Sequence, residues 1–299
     1  MPSRARFFLS STSLVPFEDA YRQKNTVCIQ RLFWLIATAF VAAMGVSITA
    51  HAGTIFQSVN TQLTASAGGQ YTNYRESSNN QTLDTETGFQ SAYQGKLSIQ
   101  RDMAGIKDVY LSASFAYSKG RTDYDGHLNS ASGASIPYQA GTRVNSTDVT
   151  VKVGKAFPVT NQGQVIYYVY YGYHQWLRDS TSYYGYDEHY SHHSAGLGMI
   201  GQYAITPKLV FSGEASVGGT FAASMKTDIT QGKFRLGSDL TVMGSLGLDY
   251  AVTQHLHVNA AYQISHFKYG QSGTVDYFYY EPSSTTTNQT LQVGMGLSF

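Results

Sequence analysis

The sequence predicts an all-β protein, a ten-stranded antiparallel transmembrane β-barrel. Three observations carry this. Only 13% of the 299 residues are charged, while aromatic residues reach 14%. Mean hydropathy is nonetheless polar, at −0.23. Apolar and polar residues alternate singly in ten separate segments. A soluble domain carries about 25% charged residues, and a helical membrane protein shows several apolar runs of about 20. This chain has one such run. Its apolar and aromatic residues recur throughout, which excludes a disordered chain. A wall that is apolar toward lipid and polar toward a lumen reconciles these facts.

Residues 1–52 read as a signal peptide with an extended N-terminus. Arg22, Lys24 and Arg31 precede an apolar stretch from Leu32 to Ala50. Ala50-His51-Ala52 is a small-x-small cleavage site, with Gly53 as the expected first mature residue. The competing reading is a membrane anchor, since the stretch is long enough to span. Cleavage removes five of the 20 basic and two of the 19 acidic residues, leaving a charge of −2 on 53–299. That excludes a basic nucleic-acid surface. The single cysteine, Cys28, leaves as well, so the remainder has no disulfide and no thiolate metal site.

The barrel domain, 53–299, follows strand by strand. Period-two alternation places each apolar set on one face. The sets are Leu63 to Tyr71, Phe89 to Ile99, Val109 to Tyr117, Val149 to Val153 and Val165 to Tyr173. They continue with Ala195 to Tyr203, Leu209 to Phe221, Leu240 to Tyr250, Leu256 to Ile264 and Leu291 to Phe299. A spanning strand needs about 9–11 residues, so ten fit easily. An even count puts both ends on the periplasmic side. Short connections, near 103–107, 158–163, 206–208 and 253–255, alternate with long ones near 76–84, 121–146, 178–191, 222–236 and 270–288. Short periplasmic turns and long extracellular loops are the expected asymmetry of a Gram-negative outer-membrane barrel. Tyr203 and Tyr250 fall on the lipid face beside two similar turns, as an aromatic girdle would. A secreted soluble barrel or sandwich is the alternative architecture.

The opposite faces define a lumen. Its expected charged lining includes Glu86, Lys96, Lys152, His174, Arg178, Glu214 and Asp239, with Asp148, Asp249 and His257. Acid and base are mixed, and a ten-stranded interior is only slightly wider than an eight-stranded one, which side chains nearly fill. A hydrogen-bonded plug is expected. A narrow, porin-like polar channel is the alternative.

Two loop constellations could carry chemistry. Asp123-Tyr124-Asp125 pairs two carboxylates that could hold a water for general-base work, although Asp125-Gly126 is also ordinary turn chemistry. Asp187-Glu188-His189-Tyr190, followed by His192 and His193, places acids beside an imidazole. The spacing is not that of a zinc helix, and adjacent His192 and His193 point to opposite faces of a strand, so no metal or other cofactor is expected. Tyrosines crowd two loops, and Tyr184 and Tyr279, nearest the tips, are candidates for surface recognition.

These features resemble the omptin family of ten-stranded outer-membrane proteases. That resemblance implies an endopeptidase in which Asp123 and Asp125 pair with Asp187 and His189 to activate water. Here the Asp-Glu-His string lies in the third loop, where omptins carry it in the fourth, and the fourth loop holds Asp228 but no histidine. The leading expectation is therefore a non-enzymatic outer-membrane barrel with loops for surface recognition or envelope support. The alternatives are the omptin-like protease and the channel. Expected partners are outer-membrane lipid and lipopolysaccharide, the barrel-assembly machinery acting on the last strand ending in Phe299, and a surface ligand.

Overall fold

The structure, a computed structural model, describes residues 55–78, 81–129, 135–180, 185–228, 230, 232–276 and 279–299. The expected signal peptide, 1–52, lies outside them. The described chain opens with a short helix, α1 (Ile55–Asn60), followed by β1 (Gln62–Ser78), β2 (Gln81–Met103), β3 (Ile106–Asn129) and β4 (Ser135–Thr160). Then come β5 (Gly163–Ser180), β6 (Asp187–Thr206), β7 (Leu209–Thr227) and the short β8 (Lys233–Arg235). The chain ends with β9 (Leu240–Ala251), β10 (Leu256–Tyr269) and β11 (Ser283–Ser298). The sheet order is β6-β5-β4-β3-β2-β1-β11-β10-β9-β7, and β6 also pairs with β7. That last pairing closes a ring of ten antiparallel strands. β8 stands apart, on the extension of β7.

The alternation read from sequence is the inside-outside alternation of this ring. Phe89 is 76% exposed and Val293 is 63% exposed, and their outward neighbours are as apolar. A band of outward Leu, Val, Met, Phe and Tyr runs round all ten strands. It is bounded at one end by Tyr71, Phe89, Tyr173, Phe221 and Tyr262, and at the other by Phe157, Tyr167, Tyr203 and Tyr250. Such a surface is at home in hydrocarbon and not in water.

One end of the barrel has four short turns and both ends of the described chain; the other has five long hairpins. Beyond the band, the strands run on into what the sequence predicts as long loops. β1 and β2 stop only at 78 and 81, β3 and β4 at 129 and 135, β5 and β6 at 180 and 187. The apolar alternation ends where lipid ends, but Ser, Thr and Asn keep the backbone extended and paired. Among the described residues, those within 228–239 and 270–282 form the main irregular stretches, apart from β8.

The turn end is closed by α1, which the sequence does not advertise. Phe56 is buried against Ala204 and Val210, with Ile55 and Val59 beside it. Asn60 donates to Gln100 Oε1 at 2.8 Å and Gln202 Oε1 at 2.7 Å, and Gln164 donates to both of those oxygens, at 3.0 and 2.7 Å. His257 Nδ1 lies 2.5 Å from Asp249 Oδ1, and its Nε2 lies 3.0 Å from Ser58 Oγ. These amides and the His257–Asp249 contact form a floor across the lumen.

Inside the band, glycines make room for rings. A Cβ on inward-facing Gly198 would sit 2.3 Å from the Tyr168 ring, and one on Gly218 would sit 2.4 Å from the Tyr170 hydroxyl. Tyr168 donates to Glu214, which is also paired with Lys152. Around these groups lies a cavity of about 340 Å³, lined by Lys96, Lys152, Asp148, His174 and Glu214. The expected lumenal residues Lys96, Lys152, His174 and Glu214 thus face inward. Asp239 precedes β9, is exposed and lies outside the cavity lining, its carboxylate accepting from the Leu240 N–H at 2.6 Å.

The β2–β3 turn holds a testable strain. Ala104 has φ of 50° and Gly105 has φ of 79°, the pairing of a primed hairpin turn. A Cβ in the left-handed region costs about 1 kcal/mol, and Asn tolerates that region better. Ala104→Asn therefore raises unfolding stability by about 1 kcal/mol, read as a higher denaturant midpoint in micelles.

Candidate functional site

Five strands send side chains inward just beyond the band, at the hairpin end. Strand parity selects them. On β5 the inward set is His174, Trp176 and Arg178; on β1 it is Thr72, Tyr74 and Glu76; on β6 it is Glu188, Tyr190 and His192. β2 adds Asp84 and Glu86, β10 adds Phe267 and Tyr269, and the connection before β11 adds Glu281. Arg178 and Glu76 each lie about five residues past the last outward aromatic of their strand, so the group sits outside the membrane-spanning segments.

Arg178 is the centre. Its Nε and Nη2 donate to Glu86 Oε2 at 2.9 and 2.5 Å, and Nη1 donates to Glu188 and lies 3.6 Å from Glu76 Oε1. Its guanidinium carbon stands 4.6 Å above the Tyr74 ring and 5.3 Å from the Trp176 ring. The planar fork of an arginine suits such shared contact with carboxylates and rings. Tyr74 donates to Glu76 Oε1 at 2.6 Å, Tyr190 donates to Glu281 Oε1 at 2.5 Å, Thr122 donates to Glu86, and Tyr124 donates to Asp84 Oδ2 at 3.2 Å.

Five carboxylates thus surround one guanidinium, and the electrostatics follow from that imbalance. Burial disfavours the charge on Arg178, but Glu188 and Glu86 outweigh it and hold the group protonated, well above its ordinary range. Among the described residues, Arg178 is the cation paired with these carboxylates. Burial, then the neighbouring Asp84, push Glu76 up to about 7. Burial also raises Glu188 against the pull of Arg178. Glu281 is driven well above the usual carboxylate range by burial and then by Glu76 and Glu188. Burial among like charges thus makes Glu76, Glu188 and Glu281 weaker acids than free carboxyls, Glu76 reaching about 7.

Beneath and around it lies an apolar layer. Tyr74, Trp176, Tyr190, Phe267 and Tyr269 are buried together with Val144, Met225, Phe234 and Leu236, and Val275 packs on top. Phe234 and Leu236 come from β8 and its flank, and Val275 comes from the β10–β11 connection. The last two long loops therefore fold into the mouth. Ser272 and Glu281 are tied by two hydrogen bonds, at 2.9 and 2.8 Å. Among the described residues, the cavity is bounded below by the amide floor and above by this layer.

The residues singled out for proteolysis lie elsewhere. Asp123 and Asp125 are exposed on β3, on the face opposite Thr122 and Tyr124, whose hydroxyls reach into the cluster. Asp187 and His189 sit on β6, on the face opposite Glu188 and Tyr190. β4 and β5 stand between the two pairs. Both pairs lie on strands and point outward, where the sequence suggests loops; they are not brought together. Glu188, the middle acid of the string, is the one that enters the lumen. Of the recognition candidates, Tyr279 is exposed and pairs through its backbone with Val275, and Tyr184 lies outside the described residues. No group of His, Cys, Asp and Glu among the described residues is arranged to hold a metal ion. Glu76, Asp84 and Glu281 are missed at the sequence level because they lie beyond the apolar alternation; continued parity from Tyr74 and Glu86 signals the first two, and Glu281, in the connection before β11, has no periodic signal.

Fold and site together define a closed ten-stranded barrel of the outer-membrane type, with side chains packed across both ends of its lumen. The outer membrane protease OmpT from Escherichia coli is similar to it, with a TM-score of 0.53 and 10% identity over 80% of this chain and 97% of that chain. The strand plan is thus omptin-like, and the likeness is one of fold. The translocator domain of autotransporter NalP from Neisseria meningitidis also matches, with a TM-score of 0.41 and 10% identity over 92% of this chain and 98% of that one. No protein-family model and no curated protein matches the sequence.

Breaking one partner of a buried ionic cluster costs about 3–5 kcal/mol. Arg178→Ala is expected to lower stability by about that amount in denaturant titrations. The pH dependence has a definite sign. Glu76 binds its proton more tightly folded than unfolded, so its contribution is complete below about 4.5 and is lost as pH rises through about 7. The barrel should be more resistant to denaturant at pH 5 than at pH 8. Glu76→Gln should flatten that difference.

Proposed function

We propose that this chain is an integral protein of the bacterial outer membrane, non-enzymatic, with its lumen sealed and its extended hairpins presented outside the cell as a rigid surface for recognition or envelope support. The observation that carries this reading is the double closure of the lumen: the α1 and glutamine floor at the turn end and the Arg178 cluster at the hairpin end. A lumen with both ends filled by hydrogen-bonded side chains offers no continuous water path. In this orientation both ends of 53–299 face the periplasm, the long hairpins face outward, and the last strand ending in Phe299 is read by the assembly machinery.

The test is electrical. Reconstituted in planar bilayers, the protein should give no discrete conductance steps across the physiological voltage range. Regular steps would sink the sealed-lumen reading and favour the narrow channel.

The fold shared with OmpT favours a second reading, an endopeptidase using Asp123, Asp125, Asp187 and His189. The outward, separated placement of those side chains weighs against it. A general base must come within about 3 Å of the proton it takes, or reach it through one water. Purified protein supplemented with lipopolysaccharide should leave basic peptides uncut. Cleavage that disappears in Asp125→Ala and in His189→Ala would establish the protease instead.

A further inference from the structure

We propose that the outer face of strands β10, β11, β1 and β2 binds one phosphate-bearing, acylated lipid, with an acyl chain in a groove of the band and the phosphate held above it by Arg75 and Lys268. This rests on the membrane orientation proposed above and goes beyond it by assigning the lipid a place and a chemistry.

The groove is a depression of about 620 Å³ on the outward face. Its floor is Ala67, Gly69, Leu291 and Val293. Tyr71 and Phe89 stand on one side with ring centroids 4.9 Å apart. Tyr262 stands on the other, its hydroxyl donating to Gln289 Oε1 at 2.8 Å. The two adjacent glycines of β1 have different causes. A Cβ on Gly68 would meet the Leu291 carbonyl oxygen at 1.9 Å, so the inward backbone contact requires glycine there. A Cβ on Gly69 would meet nothing nearer than 3.9 Å. Packing does not demand glycine at 69, and its missing side chain is what leaves the groove open.

Charge lies directly above. Arg75, Thr285 and Lys268 share one register row across β1, β11 and β10. One strand separates the two cations, which sets their strands about 10 Å apart. Both are exposed, and neither makes an ion pair among the described residues. Arg143, on the far side of the barrel, differs, since it lies 3.8 Å from Asp179. The outward residues between the groove and the cation row, Asn73, Thr287 and His266, are polar and carry no carboxylate. Long basic side chains lean back along apolar surface toward an interface. An apolar trough capped by two unpaired cations matches an acyl chain joined to a phosphate; a neutral lipid would use the trough alone and a free anion the cations alone.

The experiment uses protein isolated folded from the outer membrane of expressing bacteria and delipidated in detergent. Native mass spectrometry then follows titration with bisphosphorylated lipid A, with dephosphorylated lipid A and with inorganic phosphate. A saturable single adduct is expected with the first alone. Each cation at a membrane surface contributes about fivefold, so Arg75→Gln with Lys268→Gln should weaken binding roughly 25-fold. Gly69→Leu fills the groove and should also weaken it, while Arg121→Gln with Arg143→Gln should bind as wild type. Equal binding by the Arg75/Lys268 variant, equal binding of the dephosphorylated lipid, or a dimer formed through this face in place of a lipid adduct would each overturn the proposal. Heat-modifiable gel mobility reports barrel closure in every variant. A wild type that lacks it would fail the barrel reading itself, whereas a closed barrel without the adduct fails only the lipid site.

Discussion

Closure is the constraint on which everything else in this molecule depends. A peptide group left unpaired in hydrocarbon costs several kcal/mol, so a sheet that spans a membrane has no free edge. Here the ring is completed at β6–β7, and the seam at β1–β11 carries an uninterrupted register from Gln62↔Ser298 to Ser77↔Ser283. Once the ring is closed, each residue's side is fixed by parity. That makes the low charge content a property of one face and the polar mean hydropathy a property of the other.

Closure also creates an interior that must be filled. Ten strands enclose more volume than their own inward side chains occupy, and the two ends meet this in different ways. The turn end uses neutral amides, each satisfied by another: Asn60, Gln100, Gln164 and Gln202 exchange hydrogen bonds without net charge. The hairpin end uses ions, and there the arithmetic does not balance. One guanidinium faces five acids, and burial with so little positive charge raises Glu76, Glu188 and Glu281 above the ordinary carboxylate range. Two loops folded into the mouth, bringing Phe234, Leu236 and Val275, shield the ions from water and raise the cost of any unneutralised charge.

The fold was legible in the sequence to the extent that lipid writes on it. All ten apolar sets fall on barrel strands, and the four short turns fall where they are expected, because both depend on local period and length. The helix α1 was not legible, since six residues carry no complete amphipathic repeat and its hydrogen-bond partners come from β2, β5 and β6. Strand extents beyond the band were not legible either. Thr, Ser and Asn on both faces look like loop composition, yet the pairing Arg121↔Arg143 and Thr122↔Thr142 continues through them. Of the candidate site, Glu86, His174 and Arg178 were visible from parity. Their meeting with Glu76 and Glu281 was not, because it depends on β1, a neighbour of β2 but distant from β5 and β6 in the ring, and on a loop that folds inward.

The same parity decides how the acid-histidine string should be understood. In a loop, Asp187, Glu188 and His189 could converge on one water. In a strand, alternate residues part to opposite faces. The pairing Arg178↔Glu188 fixes Glu188 inside with its guanidinium, and Asp187 and His189 must then point out. Bringing them inward would need a one-residue slip of β6. That slip would also turn Leu197 and Met199 into the lumen and Gly196 and Gly198 to the lipid, and it would take away the space that those glycines leave for Tyr168 and Tyr170. The lipid-facing pattern therefore holds the string in its non-converging register. A short motif matched by residue type carries its chemistry only if the secondary structure around it allows its side chains to meet.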